Sequence, residues 1–141
     1  MLAPDANILI RAVLGKRARE ILTAYAGLVP FFVTNTVAQE AWLRLPEILA
    51  NRQKDPQLAI EVLEQVLEQI DIVEPAFYKG SEDDAKRRLM KRDVKDWPTA
   101  ALALTLGCPI WTEDADFFGT GIATWTTDRV EIYLRSLVRP S

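Results

Sequence analysis

The chain has 141 residues, 49% of them hydrophobic and 26% charged, with a net charge of −3, a single cysteine and no histidine. That length suits one domain, residues 1–141, burying roughly 68–70% of the surface its unfolded form exposes. The globular balance excludes a disordered chain, and no apolar run approaches the ~20 residues of a membrane span. Without histidine, and with Cys108 alone, the sequence excludes His/Cys zinc sites, imidazole-dependent hydrolases and nucleases with a histidine base. Any chemistry must run on carboxylates. Met1-Leu2-Ala3-Pro4 reaches an acid at once instead of a signal-peptide core, so a cytoplasmic location is expected.

Leu2-Ala3-Pro4-Asp5 reads as a very short strand, and Asn7 to Leu14 as a helix interrupted by Gly15. Lys16 to Ala26 continues as a second helix, ended by Gly27 and Pro30. Phe31-Phe32-Val33-Thr34 is a β-rich run of the kind buried in parallel sheets. Thr36 and Gln39 form a capping-box pair for a helix through Leu45, which Pro46 is expected to end or bend. Asp55-Pro56 opens the next helix, where Leu58, Val62, Leu63, Val66, Leu67 and Ile70 form one apolar stripe, chiefly core. Ile72-Val73 is a strand, Ser81 to Arg92 a charged helix, and Pro98 to Leu106 a buried helix stopped by Gly107. Pro109 to Thr112 and Ile122 to Thr126 are further strands around a glycine-bearing loop, before a terminal helix from Thr127 to Leu137. Strands alternating with helices predict an α/β fold, a three-layer α/β/α sandwich around a parallel sheet of four to five strands.

Five acids, Asp5, Glu40, Asp96, Asp114 and Asp116, fall at predicted strand ends or in the first turns of helices. In a parallel sheet the carboxyl ends of the strands form one crevice, so these acids are expected to converge. Asp5 has a competing role as a helix N-cap, which Asn7 could take instead. Glu40, among Val37, Ala38, Ala41 and Trp42, would need a partner if partly buried. Because Trp97 precedes Pro98, a helix starting at Pro98 would put Trp97 at the cap and Asp96 one residue too early to cap it. On an extended backbone Thr112, Asp114 and Asp116 share one side, and for Asp116 an Asp-rich turn is the even alternative. Asp93 reads as a solvated helix end and Asp128 as a helix-start acid. Clustered carboxylates need compensation, and oxygen-only donors select Mg²⁺ or Mn²⁺, one or two ions, suited to phosphodiester chemistry without a histidine base. Against the acidic average, Lys79 to Lys95 carries seven basic residues and four acidic ones, with Lys86, Arg87, Lys91, Arg92 and Lys95 as candidate nucleic-acid contacts beside Asp96.

The acids sit in a pattern that resembles the PIN-domain family, including its VapC-like toxin ribonucleases. Pro4-Asp5-Ala6-Asn7-Ile8 is similar to the family's first-strand motif, and Thr36-Val37-Ala38-Gln39-Glu40 to its glutamate-bearing helix start. Asp96-Trp97-Pro98-Thr99-Ala100-Ala101 is similar to the third motif, and Trp111-Thr112-Glu113-Asp114-Ala115-Asp116-Phe117 to the fourth. The resemblance implies Mg²⁺ or Mn²⁺ at Asp5, Glu40, Asp96 and Asp114, with Asp116 auxiliary and Asn7 and Thr112 orienting carboxylates. It further implies endonucleolytic cleavage of single-stranded RNA, a homodimer, and an antitoxin protein that covers the site. A catalytically idle module that binds RNA or protein is the alternative. A haloacid dehalogenase-type phosphatase stands further back, because its motif wants a second Asp where Asn7 lies.

Overall fold

A computed structural model describes residues 1–139. Five short strands, β1 (Ala3–Pro4), β2 (Phe32–Thr34), β3 (Asp71–Val73), β4 (Ile110–Trp111) and β5 (Thr124–Trp125), all pair in parallel. Among the described residues eight α-helices connect or follow them: α1 (Ala6–Leu14), α2 (Arg17–Tyr25), α3 (Asn35–Asn51), α4 (Pro56–Glu68), α5 (Pro75–Tyr78), α6 (Glu82–Leu89), α7 (Trp97–Leu106) and α8 (Val130–Val138).

The sheet differs from the expected four to five continuous strands. One ladder holds three strands in the order β1-β4-β5, and a separate ladder holds β2 and β3. A single bridge, Leu2 to Phe31, connects them. The break follows from Pro4. Leu2 donates to the Pro30 carbonyl on the β2 side, whereas Ala3 and Asp5 donate to Pro109 and Trp111 on the β4 side. The next donor toward β2 would be residue 4, and proline has no N–H.

Side-chain alternation along these strands builds two apolar layers. Leu2, Phe31, Val33 and Trp111 pack in one core with residues of α1 to α4 and α8. Ala3 and Ile110, their immediate neighbours in sequence, pack in the other with Tyr78, Ala85, Leu89 and the buried Ala100–Ala103 stretch of α7. Helices therefore cover both faces, as the alternating pattern predicted. Buried almost all round, α7 ends at Gly107, whose φ of 66° is the left-handed conformation that a C-terminal cap of this kind requires. Among the described residues no helix is long and apolar enough to cross a membrane.

Several local expectations shift. The cap of α3 is Thr34, whose hydroxyl accepts from the Val37 N–H at 3.0 Å, so the helix opens directly off β2 instead of at Thr36. Pro46 lies inside α3, which continues to Asn51 with Leu45 and Leu49 buried on either side of the proline. Packing there outweighs the lost backbone bond. Of the predicted α4 stripe, Leu63, Val66 and Ile70 are buried, whereas Leu58 is 69% exposed.

Candidate functional site

Asp5, Asp114 and Asp116 follow the carboxyl ends of β1 and β4 and Glu40 lies in the helix after β2, whereas Asp96 ends a 3₁₀ turn, Val94–Asp96, between α6 and α7. Asp5 leaves β1 and caps α1, its Oδ1 accepting from the Ile8 N–H at 3.0 Å. The cap is therefore Asp5 itself and not Asn7. Its second oxygen, Oδ2, accepts from the Thr112 hydroxyl at 2.5 Å, and that hydroxyl in turn accepts from the Asp114 N–H at 2.8 Å. Thr112, fully buried at the end of β4, thus ties the two carboxylate-bearing strand ends together.

Asp96 occupies the N-cap position of α7, because the helix begins at Trp97 with αR geometry despite the following proline. No side-chain cap bond forms there. The expected exclusion of Asp96 from the cap position is wrong, yet its carboxylate remains free for another partner. Asp114 caps a 3₁₀ turn, Ala115–Phe117, by accepting from the Asp116 N–H at 2.9 Å. That turn, rather than an extended backbone, aims Asp116 at its neighbours. One carboxylate oxygen from each of Asp96, Asp114 and Asp116 lies within 4.8 Å of the other two, so Asp116 stands inside the cluster and not at its edge.

Burial pushes the Asp5 carboxyl up to about 6; hydrogen bonds from Thr112 and Ile8 oppose the shift, and the nearby Asp114 and Glu40 add to it. Asp96 rises to about 7, first through burial, then through Asp93, Asp114, Asp5 and Glu40. Burial and, behind it, mutual repulsion thus disfavour ionising these acids together, and among the described residues none of them forms an ion pair that would offset it. Glu40 is exposed, not partly buried, and lines a cleft of about 230 Å³ with Thr36, Asp93, Lys95 and Asp96. Asp93, read from sequence as a solvated helix end, therefore belongs to the site's surroundings. Its side chain caps a 3₁₀ turn by accepting from the Lys95 backbone N–H, a local role that carries no sequence signal for its place beside Asp96.

The remaining candidates divide. Asn7 is exposed and its carboxamide oxygen accepts from Arg44 at 2.8 Å instead of orienting a carboxylate. Lys86 pairs with Glu82 and lies 5.1 Å over the Trp97 ring, and Arg87 pairs with Asp84. Lys91, Arg92 and Lys95 are exposed and make no ion pair among the described residues. Arg88, which the sequence did not single out, donates to the Thr120 carbonyl at 2.8 Å and so joins α6 to the loop that carries Asp114 and Asp116.

A family model described as the PIN domain matches residues 4–135. The chain belongs to the PIN-domain family. PIN domains are generally nucleases, and the acidic cluster expected of one is present. Among solved structures, the chain is similar to PAE2754 from Pyrobaculum aerophilum, with 17% identity, a TM-score of 0.71, and coverage of 96% of this chain and 89% of that one. It is also similar to FitAB bound to an IR36 DNA fragment, with 21% identity, a TM-score of 0.64, and coverage of 90% and 95% respectively. No curated protein matches the chain. The PIN fold so assigned accounts for the three layers and for acids from two strand ends meeting the start of α7. The donor set at Asp96, Asp114 and Asp116 is all oxygen, which fits a hard divalent cation such as Mg²⁺ or Mn²⁺.

Proposed function

We propose that this PIN-domain protein is a metal-dependent endoribonuclease that hydrolyses phosphodiester bonds of single-stranded RNA. The observation that carries the reading is the convergence of Asp96, Asp114 and Asp116 within 4.8 Å, beside a buried Asp5 held by Thr112. Asp5, Asp96, Asp114 and Asp116 would hold one or two Mg²⁺ or Mn²⁺ ions, with Glu40 facing the same crevice from α3. Such an ion, when bound, supplies Lewis-acid chemistry, screening the phosphate and acidifying water. The chain's own residues do the positioning. Thr112 fixes the rotamer of Asp5 and the backbone of Asp114, and the 3₁₀ turn presents Asp116. Asp96, free of any capping bond, offers a carboxylate oxygen beside those of Asp114 and Asp116, and would be held in its charged form by a bound cation.

The test is cleavage of single-stranded RNA with added Mn²⁺. Asp96→Asn is expected to reduce the rate by at least a hundredfold, and cleavage surviving at full rate would sink the assignment. Calorimetric titration with Mn²⁺ separates the nuclease from an idle binding module, for which no binding at millimolar metal is expected. A further element of the proposal is that the protein is the toxin of a cytoplasmic toxin–antitoxin pair and works as a homodimer; the likeness to FitAB bears on the antitoxin partner alone. Co-expression with the product of the adjacent reading frame, followed by size-exclusion chromatography, checks it: no complex and no growth rescue would remove that element.

A further inference from the structure

Two clefts meet the acids, and they differ in what lies beyond. The first holds Glu40, Asp93 and Asp96 with Lys95 at its side. The second, about 460 Å³, starts at Asp114 and Glu113 and is lined by Arg11 and Arg52 over Ile10, Leu14 and Ile48. Arg11, Leu14 and Arg52 also line a third cleft of about 350 Å³, which continues to Lys16, Arg17 and Thr127. The second and third are therefore one groove leaving the acid site.

Along its far half the groove presents four cations, Arg11, Lys16, Arg17 and Arg52, and no acid. Only Arg17 is paired, with Glu131 at 2.8 Å; Arg11, Lys16 and Arg52 make no ion pair among the described residues. Helix dipoles account for part of this placement, since Arg11 lies in the last turn of α1 and Arg52 caps the end of α3. They do not account for cations from three separate elements sharing one wall in a chain of net charge −3. Unpaired like charges so gathered repel one another until an anion reaches them.

We infer that the Arg11–Lys16–Arg52 groove is a binding track for the phosphates of a single-stranded RNA, lying on the Asp114 side of the acid site, with Lys91, Arg92 and Lys95 serving the Asp96 side. The inference rests on the nuclease reading and extends it by giving the strand a path across the site. The cations in the lining suit phosphates, and Ile10, Leu14 and Ile48 beside them suit sugar and base faces. An acidic peptide is the weaker occupant, because the groove delivers its ligand to Asp114, and a peptide carboxylate has no reaction to undergo there.

Binding of a fluorescent 12-nucleotide RNA, measured by anisotropy in Ca²⁺ over a range of salt, tests the track. Arg52→Ala with Lys16→Ala is expected to weaken binding about tenfold and to flatten the salt slope by about 1.4, two phosphate contacts at ~0.7 each for a single strand. Lys91→Ala with Lys95→Ala should do the same, and the two pairs should add. An unchanged affinity and slope in the Arg52/Lys16 variant, with melting temperatures matched, overturns the track even if the Lys91/Lys95 variant responds. Preferential capture of polyglutamate over RNA, lost in that same variant, overturns it in favour of a peptide. Cleavage by the wild type in Mn²⁺ is read separately, so a failed nuclease reading and a failed track give different results.

Discussion

Asp96 and Asp5 carry protons into the neutral range because burial and neighbouring acids disfavour their charged forms, at about 7 and about 6 respectively. In the unfolded chain both titrate near ~3.9. Between about pH 4 and pH 7 the native state therefore holds protons that the unfolded state releases, so stability falls as pH rises through that window and levels off above it. Thermal melts in chelator should show a lower Tm at pH 8 than at pH 5. Asp96→Asn removes one of the repelling charges and should melt higher than the wild type at pH 8, with the difference shrinking at pH 5; equal melting at both values contradicts the assigned repulsion. Thr112 offers a second single-residue test. Its hydroxyl serves Asp5 and the Asp114 backbone at once, and the residue is fully buried. Thr112→Val leaves those groups unpaired at a cost of about 1–3 kcal/mol, and urea denaturation measures it.

At the level of elements, the loop after β4 is held from outside. Arg88 of α6 donates to Thr120 carbonyl, Thr120 hydroxyl donates to Phe117 carbonyl at 2.7 Å, and Phe117 closes the turn that bears Asp114 and Asp116. Gly121 adopts φ 83°, and a Cβ there would stand 2.7 Å from Arg88 Nη1. Gly121→Ala therefore combines backbone strain with displacement of the anchor. Its expected result is weaker Mn²⁺ binding by calorimetry with the far-UV circular dichroism spectrum retained. Arg88→Ala should share that phenotype, and unaltered Mn²⁺ affinity in both variants would show that the acid loop needs no anchor. The capping role of Thr34 was legible only in part: the sequence placed a threonine cap before α3 but chose Thr36 for its capping-box partner. The choice went to Thr34 because β2 must end at the sheet edge, and α3 starts on the next residue.

For the whole molecule, the acid cluster makes stability and cation binding one equilibrium. Mn²⁺ should raise Tm more at pH 8 than at pH 5, because protons compete for the same carboxylates; a larger shift at pH 5 would move the binding site away from them. The local sequence was sufficient for the α/β alternation, the two-faced burial of β1 and β4 and the chemistry available to a chain without histidine. Runs such as Phe31 to Thr34 and Ala100 to Leu106 declare their elements through periodicity and burial that neighbouring residues impose. Pro4 also carried, unread, the reason that the sheet divides. What periodicity could not supply was distance between residues far apart in the chain. Asp5 and Thr112 meet only because β1 lies against β4 with Ala3 opposite Ile110. Asp116 joins Asp96 and Asp114 where the turn after β4 meets the start of α7, and Arg11 and Arg52, from the ends of α1 and α3, line a groove opening on Asp114. The sequence by itself determined the kind of donor, since residue type fixes charge and hardness. Which donors share a site was decided by the tertiary structure, because strand order and the turn at Ala115–Phe117 set the side-chain directions.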